Sequence, residues 1–355
     1  MSALSKLFQP VKVGNLNLRH RVVMAPMTRF RANKNHAHTD LGVEYYKQRA
    51  SAPGTLLITE GTFLDGRSGG YDNVPALETD EQLKAWKRVT DAVHEKGSYI
   101  YTQLWALGRT ADPTILARDG FPFVSASDIP LQGRPKPRPL TVAEIKEYVQ
   151  LYAQAAHNAV TRAGFDGVEI HGANGYLVDQ FIQDVTNNRT DEYGGSIENR
   201  SRFALEIIKA VSEAIGENKT SIRFSPWSAY HEMRMKDPKP TFSYLVSQIA
   251  TRHPSLAYIH VVEDEVDRNA NDFLREIWQR RPFISANGYT RDTAIEVVEK
   301  KGDIVAFARA FLANPDLPAR LKHNVPLNEF DFNTFYTPES PKGFIDYPFK
   351  EGLKF

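Results

Sequence analysis

The feature that most constrains this chain is an alternation of short apolar runs with helical segments, repeated about eight times without a long linker. Several of the runs are almost continuously apolar, which is typical of parallel strands that are buried on both faces. The predicted strands cover residues 21–25, 55–59, 98–104, 167–171, 220–225, 257–262, 282–286 and 304–308. The predicted helices cover residues 40–51, 81–96, 142–163, 197–215, 242–252, 272–280, 291–300 and 315–323.

Strand–helix units in this order predict an α/β fold of the (β/α)8 type, a TIM barrel, formed by a single domain over residues 1–355. The alternative is an open doubly wound sheet, which usually carries a Gly-x-Gly-x-x-Gly turn after its first strand. The sequence Ala25-Pro26-Met27-Thr28-Arg29 stands at that place, so the barrel is favoured.

Further segments lie outside the repeat. We expect an N-terminal β-hairpin over residues 11–18 to plug the bottom of the barrel. A long insertion follows the third predicted strand, over residues 109–140. The tail over residues 328–355 is rich in aromatic side chains, so we expect it to pack on the barrel.

Composition narrows the classes of function. The chain contains no cysteine, which excludes disulfides, thiolate nucleophiles and cysteine-ligated metal centres. Its formal net charge is +1, so no broad electrostatic field would attract nucleic acid or an anionic membrane. It has no signal-like N-terminus and no apolar run of about 18 residues, and its histidines and carboxylates show no metal-ligand spacing. We therefore expect a cytoplasmic protein that acts on a small molecule, with no metal, nucleic acid or membrane partner.

In a parallel barrel the carboxyl ends of the strands meet at one face, where ligands bind. After the fourth predicted strand, His171, Asn174 and Tyr176 are spaced by small residues that force a tight turn. These three proton donors would then lie close together at the end of one strand. The alternative is that the strand is followed by a polar loop with a solvated histidine. The other tips carry Pro26, Met27, Thr28, Glu60, Gly61, Gln103, Trp105, Arg223, Glu263, Asn287, Gly288 and Arg309. With few carboxylates and no lysine, the set argues against a two-carboxylate hydrolase or a Schiff-base enzyme.

Asn287 and Gly288 follow the seventh predicted strand, and Arg309 follows the eighth. Loops at these two places commonly form a phosphate site in this fold. Small residues let backbone N–H groups approach an anion, and a guanidinium binds its oxygens in bidentate fashion. The pattern predicts a phosphate-bearing cofactor; the alternative is that Arg309 only forms a salt bridge with the last helix.

These residues resemble those of the old yellow enzyme family, the FMN-dependent ene-reductases of the NADH:flavin oxidoreductase/NADPH dehydrogenase type, and most of all its fungal branch. The resemblance extends over essentially the whole chain. Its longest motif covers residues 164–176 and includes the tip with His171, Asn174 and Tyr176. The other motifs are Leu7-Phe8-Gln9-Pro10 and residues 21–29, 45–50, 103–105, 193–200, 314–317 and 346–348.

The resemblance implies that FMN lies across the barrel mouth and that NADPH or NADH reduces it there, in a ping-pong cycle. The residues that it places around FMN are Pro26, Met27, Thr28, Gly61, Gln103, His171, Arg223, Asn287, Gly288, Ala308 and Arg309. The residues that it places around an α,β-unsaturated aldehyde or ketone are Trp105, His171, Asn174 and Tyr336. His171 and Asn174 would polarise the carbonyl oxygen, and Tyr176 would protonate the α-carbon after hydride transfer.

Two residues depart from the family pattern at the phosphate. Asn287 stands where the family usually has a glycine, and Ala308 replaces the glycine that usually precedes the arginine. We expect asparagine to tolerate positive φ, whereas the Cβ of Ala308 predicts weaker retention of FMN. The departures keep a rival hypothesis open, a flavin-poor member that isomerises or cyclises a biosynthetic intermediate. Reduction is favoured because Tyr176 is present, and a monomer or homodimer is expected.

Overall fold

Eight parallel strands close into a barrel in the computed structural model, which describes residues 5–355. In chain order the strands are β1 (Val11–Val13), β2 (Leu16–Leu18), β3 (Val22–Met24), β4 (Leu56–Phe63), β5 (Tyr99–Trp105), β6 (Val124–Ser125), β7 (Arg138–Pro139), β8 (Gly167–Gly172), β9 (Thr220–Phe224), β10 (Tyr258–Val262), β11 (Phe283–Ala286) and β12 (Ile304–Phe307). The barrel follows the order β3, β4, β5, β8, β9, β10, β11 and β12, and β12 pairs with β3 to close it. The predicted (β/α)8 fold is confirmed. The predicted single domain stays a prediction, and its residues 1–4 lie outside the described range.

Helices follow the barrel strands along the chain. They are α1 (Asp40–Arg49), α2 (Asp80–His94), α3 (Pro113–Arg118), α4 (Val142–Thr161), α5 (Leu177–Ile182), α6 (Ile197–Ile215), α7 (Lys239–Arg252), α8 (Asp272–Trp278), α9 (Arg291–Lys301), α10 (Arg309–Ala313) and α11 (Leu317–His323). Reciprocal bonds of Thr79 with Gln82, and of Thr141 with Glu144, cap the starts of α2 and α4. No helix within residues 5–355 is long and apolar enough to cross a membrane.

Differences from the predicted boundaries have local causes. The second barrel strand, β4, runs to Phe63 and not to residue 59, because a register shift between Ile58 and Gly61 lets it continue. The predicted helix at 315–323 begins at Leu317 and is preceded by the separate helix α10, since Pro315 cannot donate a helical hydrogen bond. The sequence reasoning missed α3, α5 and α10, which are too short to show helical periodicity.

The N-terminal hairpin closes the end of the barrel at which the strands begin. Strands β1 and β2 pair antiparallel across a turn at Gly14, whose φ of 52° lies in the left-handed region. Val13, Leu16 and Leu18 are buried in one apolar cluster with the barrel residues Val23, Leu56, Tyr101, Tyr258, Ile284 and Ile304. The predicted plug is confirmed, and the opposite end of the barrel is the face left for ligands.

The aromatic tail is held at that opposite end by two arginines that follow β3. Arg29 and Arg31 are 1% and 0% exposed. The Arg29 guanidinium donates to the carbonyls of Phe335 and Gly343 at 3.1 and 2.7 Å. The Arg31 guanidinium donates to the tail carbonyls of Thr334, Phe335, Ser340 and Lys342. A buried charge is costly unless it is hydrogen-bonded in this way. The tail therefore packs on the barrel, as predicted, and the two arginines place it at the mouth.

Candidate active site

Two adjoining cavities of about 480 Å³ each open where the barrel strands end. The first, the aromatic cavity, is lined by Pro26, Met27, Thr28, Arg29, Phe30, Tyr71, Trp105, Tyr176, Tyr230, His231, Ala308, Arg309, Leu312, Phe332, Phe335 and Tyr336. The second, the arginine cavity, is lined by Ala25, Arg223, Val262, Glu265, Arg268, Ala286, Asn287, Gly288, Tyr289, Ala306, Phe307, Ala308, Arg309 and Ala310. Ala308 and Arg309 line both cavities, so together they form one elongated site with an aromatic end and a cationic end.

The loop that follows β8 is held from two sides. Asn174 has a left-handed φ of 58°, and its backbone N–H donates to Ser225 Oγ at 2.7 Å. The Gly175 N–H donates to Asp179 Oδ2 at 2.9 Å, and the Gly175 carbonyl accepts from Gln180 Nε2 at 2.7 Å. Burial raises the pKa of the Asp179 carboxyl to about 7. Because Asp179 and Gln180 belong to α5, this short helix keeps the turn in one conformation.

His171 and Tyr176, at the two ends of this loop, pack edge to face with their ring centroids 4.8 Å apart. Burial and the nearby charge of Arg223 lower the pKa of His171 well below its usual range, so its imidazole is neutral. Burial and the neighbouring Tyr230 raise the pKa of Tyr176 well above its usual range, so its phenol keeps the proton. His171 Nδ1 is buried and has no hydrogen-bond partner within residues 5–355. The pair combines a neutral imidazole with a protonated phenol.

Trp105, at the end of β5, packs against Tyr176 with perpendicular rings whose centroids are 4.8 Å apart. Its indole covers Gly61 on β4 so closely that a Cβ there would come within 2.4 Å of the ring. Only a glycine permits this approach. Phe63 also stacks on Trp105, at a centroid distance of 5.5 Å. Gly61 is therefore the residue that allows Trp105 to reach the wall of the aromatic cavity.

Gln103 belongs to a buried network below the site. Its Nε2 donates to Glu169 Oε1 at 2.8 Å. Glu169 Oε2 accepts from the Tyr258 hydroxyl at 3.1 Å and pairs with His260 Nδ1 at 2.8 Å. Burial alone would raise the pKa of Glu169, but His260 and Arg223 outweigh it and lower this pKa, so the carboxyl is ionised. The carboxylate fixes the orientation of the Gln103 amide and leaves its Oε1 to accept from a ligand.

The arginine cavity gathers three guanidinium groups, those of Arg223, Arg268 and Arg309. Within residues 5–355 none of them forms an ion pair with a carboxylate. Arg223 Nε is buried without a hydrogen-bond partner in the same part of the chain, and the Arg309 guanidinium lies 5.9 Å from the Phe330 ring centroid. Unpaired positive charge in a concave wall favours an anionic ligand. The observation argues against Arg309 as a mere salt-bridge partner of the last helix.

The structure brings most of the predicted site residues to this mouth. The aromatic cavity receives Pro26, Met27, Thr28, Trp105, Tyr176 and Tyr336. The arginine cavity receives Arg223, Asn287 and Gly288, while Ala308 and Arg309 line both. The predicted residues that line neither cavity are Gly61, Gln103, His171 and Asn174. Gly61 and His171 lie directly behind the wall, against Trp105 and Tyr176.

The sequence reasoning missed several residues of both walls. They are Phe30, Tyr71, Tyr230, His231, Phe332 and Arg268. Position was the available signal for three of them, because Tyr230 and His231 lie in the loop after β9 and Arg268 in the loop after β10. A groove of about 540 Å³ outside the barrel, between α6 and α7, takes in none of the predicted site residues.

The shape and polarity of the mouth fit the FMN that the resemblance implies. Aromatic walls suit a flat ring, and unpaired guanidinium groups suit a phosphate. The unpartnered Arg223 Nε and His171 Nδ1 are polar atoms without a use in the protein alone. Buried polar atoms are normally hydrogen-bonded, so a ligand that carries polar edges would complete the site.

The chain matches the model of the NADH:flavin oxidoreductase / NADH oxidase family over residues 6–328. It is 51% identical to the chanoclavine-I aldehyde reductase of Penicillium roqueforti over 360 residues, which cover 98% of this chain and 97% of that protein. It is 44% identical to a protein of Epichloe festucae var. lolii named a probable inactive reductase, over 98% of this chain and 96% of that protein.

Solved structures agree with the sequence comparison. The old yellow enzyme of Pichia sp. has a TM-score of 0.93 and 38% identity, over 98% of this chain and 94% of that chain. Morphinone reductase in complex with tetrahydroNAD has a TM-score of 0.91 and 38% identity, over 98% of each chain.

Proposed function

The chain belongs to the NADH:flavin oxidoreductase / NADH oxidase family, and from that premise we propose that it reduces the activated C=C bond of α,β-unsaturated aldehydes and ketones. Its relatives identify it as an FMN enzyme of the old yellow enzyme type, with a reduced nicotinamide as hydride source. The observation that carries the proposal is the Tyr176 phenol, which lines the aromatic cavity and keeps its proton beside the neutral His171.

Bound FMN supplies the hydride for the alkene after it has been reduced by NADPH or NADH. The residues proposed to hold its ring are Pro26, Met27, Thr28, Gly61, Gln103, His171 and Arg223. The residues proposed to hold its phosphate are Asn287, Gly288, Ala308 and Arg309. Gln103 Oε1 would accept from the polar edge of the ring, and Arg223 would place a fixed positive charge beside that edge. The unpaired guanidinium groups of the arginine cavity support this assignment.

His171 and Asn174 are proposed to donate to the carbonyl oxygen of the substrate. Negative charge gathers on this oxygen as hydride reaches the β-carbon, and a donor fixed in advance stabilises it. The neutral state of His171 suits this role, because its protonation does not depend on pH in the physiological range. The backbone bonds from Asn174 to Ser225 and from Gly175 to Asp179 keep the loop in place while the charge develops.

Tyr176 is proposed to complete the reduction by proton transfer. The alkene gains a hydride at the β-carbon and a proton from the Tyr176 hydroxyl at the α-carbon. The resulting phenolate takes a proton from water before the next turnover, so atoms and charge balance over the cycle. A raised pKa keeps the phenol protonated until the substrate carbon has become basic.

The rival hypothesis is a member of the family with a non-redox task, such as isomerising or cyclising a biosynthetic intermediate. Family membership alone does not decide this point, because the relative from Epichloe festucae var. lolii is named probably inactive. Two observations favour reduction in this chain: the protonated Tyr176 and the unpaired arginines at the opposite end of the site. A protein that only binds the intermediate would need no proton donor, and a member without flavin would leave the cationic end of the site unused.

Aldehydes are the first substrates to test, since the relative from Penicillium roqueforti is named an aldehyde reductase. The walls of the aromatic cavity favour a substrate with a flat or apolar body next to its carbonyl group. We also propose that the enzyme works in the cytoplasm, as a monomer or homodimer.

Purification, a visible absorption spectrum and a substrate panel test the proposal. We expect a yellow protein that oxidises NADPH or NADH faster when cinnamaldehyde is added, and that yields the saturated aldehyde. Hydrocinnamaldehyde, which lacks the C=C bond, is the matched control and should not raise the rate. A colourless protein that gains no flavin spectrum with added FMN would contradict the proposal and favour the non-redox alternative.

A further inference from the structure

Arg268 stands in the wall of the arginine cavity, beside the turn at which a phosphate is predicted. Its two terminal nitrogens donate to the carbonyls of Asn287 at 3.1 Å and of Gly288 at 3.0 Å. Its guanidinium also lies over the Tyr289 ring, 4.6 Å from the centroid. The cationic head is therefore fixed against the turn and not free in solvent.

The backbone that carries Arg268 is fixed as well. Asp264 Oδ1 accepts from the N–H groups of Val266 and Asp267, at 2.8 Å each, which closes the turn after β10. The Arg268 carbonyl accepts from Lys301 Nζ at 3.1 Å, which ties the loop to α9. A side chain that is ordered before binding loses little conformational entropy when a ligand arrives.

The charge of Arg268 is not neutralised by the protein. Its partners are carbonyls, and it forms no ion pair with a carboxylate in the described part of the chain. Arg223 and Arg309 line the same cavity, and the one carboxylate in its wall, that of Glu265, is exposed and pairs with none of the three arginines. Like charges that share a site repel each other, and an anion bound between them removes this cost.

Arg268 contacts Asn287, which is one of the two residues that depart from the family pattern. Asn287 has a φ of 109° and Gly288 a φ of 65°, so both peptides of the turn lie in the left-handed region. Such a φ is unfavourable for most residues with a side chain, and asparagine is among those that tolerate it best. The Arg268 guanidinium holds both carbonyls of this turn, and Asn287 Nδ2 adds a bond to the Glu263 carbonyl at 2.9 Å.

We propose that Arg268 is a second phosphate-binding arginine, which shares the phosphate of FMN with Arg309 while its carbonyl contacts keep the Asn287–Gly288 turn in shape. In this chain the loop after β10 thus supplies affinity that offsets the loss expected from the Cβ of Ala308. The inference rests on FMN as the cofactor and is independent of whether the enzyme reduces alkenes.

The test compares FMN with riboflavin, which has the same ring and lacks the phosphate. Both are titrated by flavin fluorescence into protein freed of its cofactor, for the wild type and for Arg268→Met. We expect the dissociation constant for FMN to rise by about 10- to 100-fold, as for the loss of a charge-assisted bond. The constant for riboflavin should change by less than about threefold.

Arg281→Met is the matched control. Arg281 also donates to two carbonyls, those of Trp278 and Ala250, and it lies over an aromatic ring, that of Trp278 at 5.1 Å. It lines neither cavity. Its removal should leave both dissociation constants unchanged. Equal losses for FMN and riboflavin in Arg268→Met would assign Arg268 a structural role only, and no loss for FMN would exclude any role; either result overturns the proposal.

Salt dependence gives a second readout that does not depend on how much the variant is destabilised. FMN affinity of the wild type should fall more steeply with sodium chloride than that of Arg268→Met, because one charge contact is missing in the variant. Arg268→Lys keeps the charge and should lose less FMN affinity than Arg268→Met. Identical salt slopes for wild type and Arg268→Met would overturn the proposal.

Discussion

The two ends of the ligand site are built by different means. The aromatic cavity takes much of its wall from rings on loops and on the tail, among them Tyr71, Tyr230 and Tyr336. Tyr230 and Tyr336 are 59% and 56% exposed, so solvent reaches them freely. The arginine cavity takes its wall from the ends of β9, β11 and β12, with the anchored loop after β10.

The difference separates two tasks. Side chains on exposed loops can adapt to molecules of different shape, whereas charges at the ends of barrel strands keep fixed distances. The aromatic end, beside the flavin ring, therefore suits the molecules that enter and leave in each cycle, and the arginine end suits the phosphate of a cofactor that stays bound. If the separation is correct, a change at one end leaves the task of the other end intact.

Tyr176→Phe probes the aromatic end and should have the largest effect. It removes the proton and keeps the ring, so we expect alkene reduction to slow by about 10²- to 10⁴-fold. Reduction of bound FMN by NADPH should change by less than about threefold, because this half-reaction takes no proton from Tyr176. Stopped-flow absorbance measures both steps. Tyr244→Phe, which removes a hydroxyl from α7 outside both cavities, is the control. Equal losses in both half-reactions of Tyr176→Phe would refute the assignment.

Arg309→Met probes the arginine end. We expect the dissociation constant for FMN to rise by about 100-fold, since a charged donor to the phosphate is lost. The rate of alkene reduction, measured with FMN at saturation, should stay within about twofold of the wild type. Equilibrium titration and single-turnover kinetics supply the two values. Arg291→Met, at the start of α9 and outside both cavities, is the control. If Arg309→Met reduced alkenes slowly but still bound FMN tightly, the two ends of the site would not have separate tasks.

Asn174→Gly probes carbonyl binding at the aromatic end. Glycine accepts the left-handed φ of 58° without strain, so the change removes the amide and spares the backbone. Phenols mimic the charged oxygen of the intermediate, and we expect their dissociation constants to rise by about tenfold. Absorbance titration of the FMN-loaded enzyme with 4-hydroxybenzaldehyde measures this. Unchanged phenol binding would contradict the role of Asn174.

Ala308→Gly probes the boundary between the two cavities and should have the smallest effect. Ala308 has a φ of −95°, so the backbone does not require the glycine that the family usually has there. Any loss of FMN affinity therefore comes only from the methyl group of Ala308. We expect FMN to bind about two- to threefold more tightly to the variant. Fluorescence titration decides the point, and equal affinities would show that Ala308 does not weaken FMN retention.

The fold could be predicted from the sequence because each barrel strand is a short apolar run and each is separated from the next by a helical segment. The helix α6 was predicted with its correct bounds, since Ser196 caps its start and Gly216 ends it. Helix α5 was not predicted, because its six residues are all buried and show no polar face. Its role in holding the loop after β8 becomes visible only in three dimensions.

The site could be predicted where a residue lies at a strand tip, since the topology alone brings such residues to the mouth. Tyr176, Arg223 and Arg309 are examples. Arg268 stands further along a loop, and its place depends on the turn that Asp264 closes. Arg29 shows the converse: it follows a strand tip, but its guanidinium is used to hold the tail. The sequence shows that a positive charge is present, but it does not show whether that charge binds a ligand or the protein's own backbone.

The hairpin that closes the far end of the barrel has a kinetic consequence. With Val13, Leu16 and Leu18 sealing that end, the mouth at the opposite end is the opening that the described residues leave for ligands. In the proposed cycle, the oxidised nicotinamide would leave through the mouth before an alkene enters, and the saturated product would leave through it before the next nicotinamide binds. We therefore expect the two reactants to compete for the same opening, and an excess of either one to slow the enzyme.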